Sequence, residues 1–165
     1  MRNSTNGFSL TELLIAVAIV LIIAAIVIPN LHRSRVTGTV FSAVGCLRTL
    51  NTAEATYYST YGVGYSLTLG DLAPPDPGKS PTSTAAGLID SVLAGGSKSG
   101  YSFTYWPGTT DSTGRIKVYQ ITAVPIPNST PTNYWGTNYY YTDQSGVIRQ
   151  NSTTTATSTD SPIAG

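Results

Sequence analysis

The chain has one cysteine, one histidine and one methionine in 165 residues, and only 10% of its residues are charged. The lone cysteine, Cys46, excludes an intrachain disulfide, so whatever folds must hold together by packing and hydrogen bonds. The lone histidine, His32, removes the commonest general base and the His-rich metal clusters. No glycine-rich phosphate loop or ligand-spaced Cys/Asp/Glu group replaces them, so no enzyme activity, no cofactor and no metal is expected. Charge is sparse and balanced at nine basic against eight acidic side chains. The only basic concentration is His32, Arg33 and Arg35, which argues against nucleic acid as a designed partner, because phosphate binding draws on clustered Lys and Arg.

What the chain does have is one long apolar run. Between Phe8 and Ile28 the only ionisable side chain is Glu12, and at about 1.5 Å per residue a helix of that length crosses a hydrocarbon core of roughly 30 Å. A carboxylate inside such a span costs about 2.5–3.5 kcal/mol on insertion scales, which makes Glu12 a functional-site candidate by default. The residues before the run, MRNSTNG, are short, polar and end in Gly7. An ordinary secretory signal places its cleavage site after the apolar run instead. Cutting between Gly7 and Phe8 would leave a free amine at the tip of the span with Glu12 one helical turn away. Two local readings stand beside any role for Glu12 between subunits: pairing with its own chain's amine, or a place at headgroup depth where the helix N-terminus favours an acid.

Gly7, Phe8, Ser9, Leu10, Thr11, Glu12, Leu13, Leu14 and Ile15, with Pro29 closing the run, resemble the N-terminal motif of type IV pilins and type II secretion pseudopilins. The resemblance covers closely only the first fifth of the chain. It implies cleavage after Gly7 by a prepilin peptidase, N-methylation of Phe8, and assembly of a homo-oligomeric helical filament in which Glu12 answers the Phe8 amine of a neighbouring subunit. It also implies a precursor held in the bacterial inner membrane, then a cell-surface filament, or a periplasmic one for a pseudopilin. Removing the leader deletes Arg2, which leaves eight basic and eight acidic side chains. With Arg33 and Arg35 beyond the span, charge alone does not orient it. Many pilins close their carboxy-terminal region with a disulfide, and this chain departs from that pattern.

The expected fold is α+β. After the leader (1–7) and the apolar helix (8–29), an amphipathic half of the same helix should run over 30–62, kinked or locally unwound near Pro29. Leu31, Val36, Val40, Val44, Leu47, Leu50 and Ala53 form its apolar stripe, with Arg33, Arg35, Arg48 and Glu54 pointing elsewhere. Gly38 and Gly45 either admit close backbone approach or merely weaken the helix, and Gly62 and Gly64 stop it. Residues 63–98 read as a surface loop with a short helix at 85–94. Asp71, Asp76 and Asp90 read there as scattered solvated acids. Residues 99–150 read as three to four antiparallel strands at 101–105, 116–124, 138–142 and 147–149, covered by the helix. The tail, 151–165, has no apolar period and reads as disordered.

Lesser motifs carry less. Ala43-Val44-Gly45-Cys46 has the look of a lipoprotein cleavage box in the wrong context, and Cys46 reads instead as a small buried thiol. Asn128-Ser129-Thr130 and Asn151-Ser152-Thr153 match the glycan acceptor pattern, with uncoated polar surface as the simpler reading. The stretch around Trp135 and Gly136 resembles the tryptophan-glycine segment of calcium-binding major pseudopilins, but Asp143 is the only acid nearby and Trp135 reads as a packing residue. The tyrosines read as strand and amphipathic surface rather than an electron path. Outside the filament class, the alternative is a single-span, membrane-anchored extracytoplasmic binding module whose Ser66 to Lys98 loop or tyrosine face takes a ligand.

Overall fold

A computed structural model describes residues 8–127, 136 and 138–163, without the side chains of residues 29, 30, 32 and 33. The chain divides into two compact units, Met1–Arg35 and Val36–Gly165.

The described part of the first unit is helical. Helix α1 is assigned over Leu10–Tyr61, and its first portion lies in this unit. The helix continues through residues 29 and 30 without a break, so the local unwinding expected there is not present. Leu31, placed on the apolar stripe by its spacing, is instead 64% exposed.

The second unit packs the rest of α1 against a sheet. Ala43, Leu47, Leu50 and Tyr57 recur at steps of three, four and seven and are all buried. Val40 and Val44 are half-buried beside them. The helix ends at Gly62, whose φ of +65° suits a residue without Cβ. Gly64 has a second reason to be glycine. Its φ is +96°, and a Cβ there would lie 2.4 Å from the Ile116 carbonyl oxygen. Gly38 and Gly45, by contrast, would meet nothing within 4 Å, so packing within the chain requires neither of them.

The connecting segment is more ordered than a surface loop. A 3-10 turn at Leu69–Leu72 buries Leu69 and Leu72. Residues 86–89 then run against 71–73 through backbone bonds such as Ala86 N to Asp71 O (2.8 Å) and Leu88 N to Leu72 O (2.9 Å). That pairing takes the first half of the expected helix. Only α2, Ser91–Ala94, is helical, started by Asp90 accepting from the amides of Val92 and Leu93. The acids read as solvated are each engaged: Asp71 accepts from the Leu67 and Thr68 amides, Asp76 pairs with Lys79, and Asp90 pairs with Lys98.

Among the described residues five strands follow: β1 Ser97–Lys98, β2 Tyr101–Pro107, β3 Tyr119–Pro125, β4 Tyr139–Asp143 and β5 Arg149–Asn151. They form one antiparallel sheet in the order β1-β2-β3-β4-β5. The strand expected from residue 116 starts only at Tyr119, because Ile116 bridges to Gly64 and to Thr110. Alternation puts Tyr101, Phe103, Tyr119, Ile121, Ala123 and Tyr140 into the core with the α1 side chains. This is the expected α+β, pilin-like arrangement, with five strands where three to four were read.

The tail corrects another expectation. Over the described residues to 163 it is ordered, with Gln150 N donating to Ser161 O and Ile163 N to Ile148 O. These bonds and the Arg149–Pro162 bridge add an edge to β5. Asp160 fastens the turn: its carboxylate accepts from Thr157 N at 2.7 Å and Asn151 Nδ2 at 2.9 Å, while Arg149 donates to its carbonyl at 2.9 Å. A polar sequence with no apolar period is ordered here by hydrogen bonds, helped by buried Ala156 and by Ile163 against the core.

Candidate assembly site and a buried carboxylate

Phe8 is 81% exposed, just ahead of the first turn of α1. The Ser9 amide donates to Glu12 Oε2 at 2.9 Å, and Leu13 N donates to the Ser9 carbonyl at 3.1 Å. With Leu10 as the first helical residue, Glu12 is the third, the place from which an acid reaches back to the residue capping the helix. The carboxylate therefore answers a backbone amide of its own chain. Only Oε2 is engaged in that bond. Glu12 is exposed, and the second oxygen of a carboxylate can accept from a further donor.

Beyond it, Leu10–Ile28 forms a 19-residue apolar span, none of it buried. At about 1.5 Å per residue the span measures roughly 28 Å, close to the thickness of a bilayer hydrocarbon core. Gly7 and Asn128 lie outside the described residues, as do Trp135 and the side chain of Pro29. Asn151 is described, and its side-chain amide is occupied. Nδ2 donates to Asp160, while Oδ1 accepts from the amides of Thr153 and Thr154. A glycan on that nitrogen would break the turn that holds the tail. Cys46 is buried, and loss of solvent pushes its thiol pKa up, as expected of an inert packing residue.

Glu54 is the residue that sequence reasoning misplaced. Instead of pointing away from the stripe, it is 0% exposed, in the same helical row as Leu47, Leu50 and Tyr57. Its Oε2 accepts from the Ser66 amide at 3.0 Å and its Oε1 from the Ser66 hydroxyl at 2.5 Å. The Tyr105 hydroxyl, which donates to the Ser66 carbonyl at 2.8 Å, stands over the same pair. Burial pushes the Glu54 pKa up, and the Ser66 and Tyr105 hydrogen bonds oppose that shift. Spacing held the signal, since 47, 50, 54 and 57 are one unbroken three-four pattern. A neighbouring polar group joins helix to sheet. Asn51 Nδ2 donates to Thr142 Oγ1 at 2.9 Å and its Oδ1 accepts from the Tyr119 hydroxyl at 3.0 Å.

An unburied apolar span with an acid in its first turn, continuing into an α+β body, fits a membrane-anchored precursor. Comparison with family models gives the class its name: residues 2–28 match the prokaryotic N-terminal methylation motif, the hallmark of type IV prepilins and pseudopilins. Precursors with this motif are processed by prepilin peptidase and passed to an assembly machinery. Compared with curated proteins and with solved structures, the chain gives no significant match.

Proposed function

We propose that this chain is the structural subunit of a type IV pilus-like extracellular filament. Prepilin peptidase cuts between Gly7 and Phe8, Phe8 is N-methylated, and the subunit leaves the membrane when its span packs among those of other copies. The observation that carries this reading is the methylation motif at residues 2–28 lying on a span with no buried residue. In a dry helix bundle an unpaired ammonium and an unpaired carboxylate are each costly, so a neighbour's Phe8 amine and the Glu12 carboxylate relieve one another and set the register. Pro29 closes the span that packs in the filament core.

Glu12→Ala is expected to leave membrane insertion and body stability unchanged while filament recovery falls at least tenfold in sheared material. Normal recovery from that variant would contradict the register role. A secretion defect without surface filaments would make the chain a pseudopilin working in the periplasm. An uncut monomer in detergent would make it an anchored binding module.

A further inference from the structure

A fully buried carboxylate normally has a cation or a metal beside it, and Glu54 has neither among the described residues. Its hydrogen-bond donors, the amide and hydroxyl of Ser66, are neutral, and so is the Tyr105 hydroxyl beside them, which donates to the Ser66 carbonyl. The groups acting on it from the elements packed around it give no positive charge. Tyr57 lies on α1, Tyr65 and Asp71 on the connecting segment, Tyr105 on β2 and Tyr119 on β3. Asp71, the one other carboxylate there, is of like charge. Ser66 is itself 0% exposed and belongs to the segment leaving α1, which the Glu54 contacts tie back to the helix.

We propose that Glu54 and Ser66 form a proton-operated latch, in which neutral Glu54 holds the connecting segment on α1 and ionisation of Glu54 loosens it. A neutral carboxyl keeps an acceptor oxygen for the Ser66 amide and can turn its own proton toward the Tyr105 oxygen, whose own proton goes to the Ser66 carbonyl. An ionised carboxyl keeps its donors but is charged in a site without a counterion. The folded state therefore binds this proton more tightly than the unfolded chain does. Stability is highest below the ordinary carboxylate range and is lost as pH rises through the folded-state value. The acid-lowered groups Asp90 and Asp160 act with the opposite sign, and below that range.

The test is urea unfolding of the full chain in detergent micelles from pH 4 to 8, followed by tryptophan fluorescence, for the wild type and Glu54→Gln. Hydrogen exchange at the Ser66 amide, corrected for intrinsic rates, reports the segment itself. The wild-type unfolding constant should rise with pH relative to the variant by up to about tenfold per unit across the titration window. Ser66 protection should fall over the same window, and Glu54→Gln should show neither change. Parallel pH profiles for the two proteins would overturn the latch. Where Glu54→Gln does not fold, Ser66→Ala decides: losing the hydroxyl that favours the ion should move the window to higher pH, and an unmoved window would overturn the proposal.

Discussion

From Leu10 to Ile28, α1 leaves every leucine and isoleucine more than half exposed, whereas Leu47 and Leu50 on the same helix are completely buried. The two acids differ in the same sense. Glu12 stands on an exposed turn, and Glu54 is sealed inside the body. Burying one such aliphatic side chain is worth about 1.5–3 kcal/mol. The body collects that stabilisation from its own sheet. The span is unburied among the described residues, so that stabilisation is left for lipid or other copies to supply. The contrast teaches that one helix can carry an apolar face that its own body covers and an apolar span that it leaves exposed, with one carboxylate in each setting.

The sharpest way to break this comparison is to truncate one leucine in each half. Leu50→Ala should destabilise the body by about 2–5 kcal/mol through lost transfer energy and a cavity. Leu21→Ala, at a residue 62% exposed, should leave body unfolding within about 0.5 kcal/mol of wild type. Denaturant unfolding of both variants in micelles checks this, and equal effects would mean that the span packs on its own body. A smaller effect sharpens the account of the tail. Asp160→Ala should speed proteolysis and amide exchange over residues 152–163 while the α1 core keeps its protection. Hydrogen bonds from Thr157 and Asn151 hold the Asp160 carboxyl pKa below its ordinary value. The same opening should therefore appear in the wild type as pH falls through that lowered value, the contribution being present above the ordinary carboxylate pKa. Exchange of the tail indifferent to both changes would remove Asp160 from the account.

The N-terminal motif was legible because its chemistry is contiguous: Gly7, Phe8 and Glu12 lie within six positions of an uninterrupted apolar run. The sheet was legible from alternation, as in Tyr101 and Phe103, though β1 is only two residues long and was missed. Glu54 was misread because its identity outweighed its spacing; nothing local to residue 54 announces that Ser66, twelve positions on, will supply two donors. The tail was misread for a related reason. Its order draws on side-chain bonds among Arg149, Asn151, Thr157 and Asp160 and on backbone pairing with 148–150, and hydrophobic periodicity is blind to both. The halved helix at 85–94 shows the same limit, since backbone pairing of residues 86–89 with 71–73 overrode helical propensity.

The measurement that bears most directly on the central claim is mass spectrometry of the N-terminal peptide from protein sheared off the cell surface, set against protein left in the membrane. The account predicts sheared chains that begin at methylated Phe8, with Met1 retained only in membrane-bound precursor. Protein confined to the membrane with Met1 in place would contradict it.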